Sequence, residues 1–148
     1  MGKEFLPVLA LLLIAGCAGV QLKDCGADFE CFIAEMNRNC SPAKVQYVES
    51  GINASFEVTG FASLVALRAS AGPCSVKVKI NDFQRTLEMD KDTWTKMSAA
   101  IPLLKLAEMT CNISPRTAEA LYAKKNVLLA AEVLDSCSGS LIDILRMQ

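Results

Sequence analysis

The sequence predicts an α+β domain: a leading helix, an antiparallel β-meander of about four to six strands, and C-terminal helices packed on one face, stapled by disulfides. Three observations point there. Apolar residues recur at helical spacing over 28–38, apolar and polar residues alternate with turn signals between them over 44–80, and helical spacing returns after Ser114-Pro115.

Taken in order, Phe29, Phe32, Ile33 and Met36 form one stripe. Asp28 and Glu30 stand at the positive end of the helix dipole and Arg38 at the other. Asn39 closes this helix and Ser41-Pro42 prevents its continuation. Residues 44–49 read as a strand, Ser50-Gly51 as a turn, and 53–59 as a second strand with Ala54, Phe56 and Val58 on one face and Asn53, Ser55, Glu57 and Thr59 on the other. After Gly60, residues 64–69 read as a third strand, broken by Gly72-Pro73. The alternation is cleanest over 74–80, with Cys74, Val76, Val78 and Ile80 inward and Ser75, Lys77, Lys79 and Asn81 outward. Asn81-Asp82 reads as a turn into a weaker strand over 83–89. Short strands joined by tight turns make an antiparallel sheet with one wet face.

Farther on, Asp92 is placed to cap a short helix carrying Trp94, Met97 and Ile101, ended by Pro102. The stretch 103–113 is ambiguous: Leu104 and Leu106 alternate with Lys105 as in a strand, while the Leu-rich content also suits a helix, and the strand is the reading adopted. Ser114 then caps a helix with Pro115 at its first position. Ala118, Leu121 and Tyr122 follow at helical spacing. Lys124-Lys125-Asn126 interrupts the stripe, and Val127, Ala130, Ala131, Leu134 and Cys137 resume it. Ser138-Gly139-Ser140 breaks it again before a last turn with Leu141, Ile142 and Leu145.

The N-terminus has a different character. Lys3 and the free amine precede a run over 5–16 that is apolar apart from Pro7, and small residues then lead to a cysteine, the layout of an export signal. About 12 apolar residues reach only ~18 Å as a helix, short of the ~30 Å hydrocarbon core, so the run reads poorly as a membrane span. Ile14-Ala15-Gly16-Cys17 resembles the lipobox of prokaryotic lipoproteins: an aliphatic residue, two small residues and a cysteine. The resemblance implies cleavage before Cys17 and a diacylglycerol on its thiol, which anchors the chain stably because two acyl chains pass the threshold that one misses. Cleavage after Ala18 by a general signal peptidase, giving a freely secreted protein, is the competing outcome. The chain therefore divides into a signal peptide over 1–16, a lipidated tether over 17–27 and one α+β domain over 28–148.

The chain has 15 Lys+Arg against 16 Asp+Glu. With charges nearly balanced, there is no electrostatic case for nucleic acid or an anionic membrane surface. The seven cysteines become an even six once Cys17 is set aside: Cys25, Cys31, Cys40, Cys74, Cys111 and Cys137. In an exported protein these are disulfide candidates, each bridge contributing ~2–4 kcal/mol. Sequence alone does not choose among their connectivities. Cys31 within the first helix and Cys40 just past it are placed to fix that helix against something else. Cys74, on the core side of its strand, is placed to pin the sheet to the helix.

The chain contains no histidine, which removes the commonest general base, the Ser-His and Cys-His pairs and the usual catalytic zinc sets. There is no Cys-x-x-Cys and no glycine-rich phosphate loop. Hence no catalytic residues, metal ligands or cofactors are assigned. Glu30/Glu35 and Asp90/Asp92 are explained by capping and solvation, and Trp94 by packing. Asn53-Ala54-Ser55 fits a glycosylation acceptor on the solvent face; Asn112-Ile113-Ser114 is weaker because Pro115 follows.

The segments Cys31-Phe32-Ile33, Cys40-Ser41-Pro42-Ala43-Lys44-Val45, Met109-Thr110-Cys111 and Cys137-Ser138-Gly139 resemble small Cys-rich lipoproteins of archaea and some bacteria, a likeness that implies a fold relationship and no activity. The expectation is an exported protein held at the outer face of the cell membrane by lipid on Cys17. It would act as a non-enzymatic module that binds an envelope protein or small ligand, or contributes to envelope structure. The alternative is a secreted small enzyme working through carboxylates, or a metal-binding protein, which would need free thiols converging on one point.

Overall fold

The computed structural model describes residues 21–62, 72–87, 89–125 and 131–146. The leader, Cys17, the strand read at 64–69 and residues 126–130 lie outside them. Among the described residues the architecture is α+β: a six-stranded sheet in the order β1-β2-β3-β4-β5-β6, five helices and three disulfides. The strands are β1 Lys23–Asp24, β2 Ala43–Glu49, β3 Ile52–Phe61, β4 Cys74–Phe83, β5 Glu108–Ile113 and β6 Cys137–Ser138. Only the β1·β2 pair is parallel. The helices are α1 Phe29–Asn37, α2 Lys91–Leu106, α3 Pro115–Ala123, α4 Ala131–Leu134 and α5 Ser140–Arg146.

The first described element is β1, so the sheet takes in two residues of the stretch read as tether. Lys23 and Asp24 pair with Ala43 and Lys44, and Gln46 N–H continues the contact to Gly26 O at 2.7 Å. α1 follows, with Asp28 Oδ1 accepting from Cys31 N–H at 3.0 Å. It ends where Asn39 and Cys40 turn left-handed, at φ 60° and 52°. Ser50 and Gly51, both with positive φ, form the two-residue hairpin between β2 and β3, whose twist suits paired strands. A Cβ on Gly51 would also collide with Gln84 O, so this position requires glycine on two counts.

Four expectations need correction. Asn81-Asp82 is no turn: β4 runs through it to Phe83, and the register slips so that Asn53 faces Asp82 while Ala54 faces Ile80. The β-bulge absorbs the extra residue that sequence presents as a break. Past Phe83 no strand follows among the described residues 84–87 and 89, where Leu87 is fully exposed; without a partner strand this backbone has no ladder to join. Asp92 lies inside the first turn of α2, and it is the Asp90 carbonyl that receives Trp94 N–H at 3.0 Å. Finally, Pro102 does not end the helix. α2 continues through it to Leu106, carried by Leu104, which is buried one turn beyond half-buried Ala100 and Ile101. The alternation that marks a strand begins only with Met109, Cys111 and Ile113, all buried in β5.

The core lies on one face of the sheet. Ala54, Phe56 and Val58 of β3 and Cys74, Val76, Val78 and Ile80 of β4 are buried together with Phe29, Phe32, Ile33 and Met36 of α1. Phe29 is the hub: its ring stacks on Tyr122 of α3 with centroids 5.0 Å apart, meets Phe56 edge-on at 5.7 Å and touches Tyr47 at 5.0 Å. α3 starts as its sequence dictates, with Ser114 Oγ accepting from Thr117 N–H at 3.1 Å and Pro115 next.

The disulfides are Cys25–Cys31, Cys40–Cys74 and Cys111–Cys137. Cys40–Cys74 joins the end of α1 to the start of β4, pinning helix to sheet as the inward position of Cys74 suggested. Cys31 does not tie α1 to a distant element; it closes the turn that leads into the helix. Cys111 and Cys137 sit directly opposite each other in the β5·β6 ladder.

Candidate functional site

The outward residues of the same strands form a polar surface on the side opposite the core. Lys44 and Gln46 of β2, Ser55 and Glu57 of β3, Lys77 and Lys79 of β4 and Glu108 of β5 line a cleft of about 370 Å³, with Asp24 at its β1 edge. Strand register brings them together: Lys44 faces Glu57, Glu57 faces Lys77, and Lys79 faces Glu108.

The charges are paired. Lys44 Nζ lies 3.0 Å from Asp24 Oδ2. The Glu108 carboxylate is bridged by two lysines, with Lys77 Nζ at 2.7 Å and Lys79 Nζ at 4.0 Å. The hydrogen bond from Lys77 holds the Glu108 carboxyl below its ordinary range and in turn raises the Lys77 ammonium. Asp24 is lowered by the Gly26 backbone N–H, which donates to Oδ1 at 2.9 Å, and then by Lys44. Beside the cleft, Asp82 is lowered by its contact with Lys105 at 2.7 Å. Nearby, Asn81 Nδ2 donates to Asn53 Oδ1 at 3.2 Å.

One further acid differs in kind. Glu35, on the inner side of α1, is only 5 % exposed, the one buried charged residue among those described. Its Oε1 receives Lys23 Nζ at 2.7 Å and Arg38 at 3.0 Å. The Lys23 hydrogen bond is the main cause of its lowered carboxyl pKa, ahead of the opposing effect of burial. This contact fastens β1, within the stretch read as tether, to the first helix.

Carboxyl groups held down in this way remain ionised to lower pH than free ones, which suits ion pairing and opposes general-acid work at neutral pH. The sequence-derived site residues fall as follows. Cys17 is outside the described residues. The other six cysteines are all bridged, so none offers a free thiolate to a metal, and the described residues hold no cluster of three or more His, Cys, Asp or Glu side chains able to bind one. Asn53 is half-buried within β3 and occupied by Asn81, whereas Asn112 is exposed at the far end of β5. Trp94 is half-buried on α2. Sequence placed Ser55, Glu57, Lys77 and Lys79 outward correctly but missed Asp24 and Glu108. Two lysines two residues apart on a wet face were the available hint that a neighbouring strand carries an acid.

No helix among the described residues is long and apolar enough to cross a membrane. Compared with known protein families, with characterised proteins and with solved structures, the chain matches none.

Proposed function

We propose that this is an exported protein, cleaved before Cys17 and held to the outer face of the membrane by lipid on that cysteine, whose disulfide-stapled domain is a non-enzymatic binding or structural module of the envelope. The observation that carries the export part of the reading is the cysteine pairing; lipid on Cys17 rests on the lipobox-like sequence. Of seven cysteines, six close three bridges within the domain, and the seventh is the one in the lipobox-like Ile14-Ala15-Gly16-Cys17. Structural bridges belong to oxidising compartments, which agrees with an export signal. The binding-module part is supported by the charge-paired cleft, whose shifted acids are lowered rather than raised.

Intact mass of the protein extracted from membranes tests the reading. The expected species begins at Cys17, carries a diacylglycerol and gains two hydrogens per bridge on reduction, while Cys17→Ser loses both lipid and membrane retention. Full-length, unprocessed chain in the cytosol with every thiol titratable would overturn it.

A further inference from the structure

The cleft on the outer face of the sheet is even in charge and uneven in pairing. Three lysines, Lys44, Lys77 and Lys79, and three acids, Asp24, Glu57 and Glu108, line it. Strand register sets Glu57 between Lys44 of β2 and Lys77 of β4, yet both lysines turn to other partners. Lys44 Nζ goes to Asp24 at 3.0 Å and Lys77 Nζ to Glu108 at 2.7 Å. Glu57 is left in the middle with no salt bridge or side-chain hydrogen bond among the described residues, its charge acting on Lys77 through space. One row along, Lys79 is held almost as loosely: its Nζ stands 4.0 Å from Glu108, beyond hydrogen-bond reach.

A floor lies beside these two groups. Ser55 faces Gln46 on one side and Lys79 on the other, a short side chain between two long ones. Its hydroxyl donates to Asn81 Oδ1 at 3.3 Å, which leaves the oxygen's lone pairs as acceptors. Glu57 and Lys79 are diagonal neighbours on paired strands, a relation that sets residues ~7–8 Å apart. Two charge-assisted hydrogen bonds of ~2.8 Å each fill most of that span, leaving the width of an ammonium and a carboxylate borne on one carbon.

Ligands of a single charge fit this arrangement poorly. A plain cation on Glu57 lies beside the Lys79 ammonium, a plain anion on Lys79 lies beside the Glu57 carboxylate, and an anion that draws in a second lysine must take Lys77 from Glu108. A ligand with both charges satisfies both groups and leaves the existing ion pairs in place. We infer that the cleft binds a free α-amino acid, its ammonium between Glu57 and Ser55 Oγ and its carboxylate on Lys79. The cleft volume of about 370 Å³ lies in the range of small-molecule sites and leaves room for a side chain, which Lys44, Gln46 and Lys77 border and which is therefore polar. The inference deepens the binding-module reading and rests on it.

Calorimetric titration of the protein extracted from membranes, bridges intact, tests this with the twenty standard α-amino acids and with methylammonium, acetate and inorganic phosphate as single-charge controls. At least one amino acid with a polar side chain should saturate with a Kd below about 1 mM, and each control should bind at least tenfold more weakly. Glu57→Gln and Lys79→Met should each weaken that amino acid at least tenfold, since each removes one charge-assisted hydrogen bond. Ser55→Val keeps every charge but fills the floor, and should weaken it as much; circular dichroism checks that all three variants stay folded. No saturable binding at ~10 mM of any of the twenty, a control that binds as tightly as the best amino acid, or binding that survives any of the three substitutions would each overturn the inference. Those results leave export and the bridges untouched, because intact mass tests them separately. An amino acid that binds through Glu57 and Lys79 but is recovered chemically altered would support the site and sink the non-enzymatic reading instead.

Discussion

Along β4, Val76 and Val78 are buried against α1 and its neighbours, while Lys77 and Lys79, interleaved with them, stand half-exposed in the cleft on the other side. The same ten-residue strand thus contributes to two surfaces of opposite character. On the first, close-packed rings and branched chains leave no room for a change of volume. On the second, each lysine exchanges a hydrated state for an ion pair of similar free energy. What stabilises the fold is therefore concentrated on one face, and the other is free to vary with function.

Substitutions that cross this divide measure it. Phe32→Ala removes a ring 1 % exposed at the heart of the apolar face and should cost about 3–5 kcal/mol in urea unfolding under oxidising conditions. Lys77→Met, on the other face, should cost far less in the same unfolding series. Equal losses from the two would break the comparison. Among the staples, the Cys40→Ala/Cys74→Ala pair opens a bridge spanning 34 residues and should cost about 4 kcal/mol in the chain-entropy picture. Opening Cys25–Cys31, which spans 6 residues, should cost about 2 kcal/mol. The same unfolding curves, fitted side by side, show whether loop length sets the ranking. Ser114→Ala removes the cap of α3 and should cost about 1 kcal/mol, read as earlier hydrogen exchange in 115–123 than elsewhere.

Acid should act on the ion pairs of both faces. Asp24, Glu35 and Glu108 have carboxyl pKa values lowered by their partners, so the folded state binds fewer protons than the unfolded chain. Their contribution is complete above the unfolded carboxyl range near pH 4 and is lost as pH falls through it toward the lowered folded values. Glu35→Gln should flatten that acid limb of a stability–pH curve. An unchanged slope would mean that the Lys23–Glu35–Arg38 cluster contributes nothing.

Much of this was legible in the sequence because the signals were local. The alternation over 74–80 fixed both faces of β4, Ser114 announced one helix start through its side-chain oxygen, Asp28 and Glu30 marked another by their charge, and Ser50-Gly51 announced a turn. What escaped notice depended on partners distant in sequence. β1 has two residues and exists only because β2 offers its edge. The bulge opposite Asn53 lets β4 run through a turn-like Asn-Asp pair. α2 survives Pro102 because Leu104 is buried, a gain no local rule contains. Of the cleft, the outward lysines could be read directly, but the acids that meet them come from β1 and β5, and only strand register puts them there.

The two margins of the sheet are strands of two residues each, β1 and β6. A long bare edge invites a passing chain to add itself as another strand, the first step toward fibrils. Here the β6 margin offers a guest only a brief template, followed at once by Gly139 and a helix, whereas β1 pairs with just the first two of the seven residues of β2 and leaves a longer template beyond them. Crowded copies of this protein should therefore meet, where they meet strand to strand, along the β2 border and not along β6.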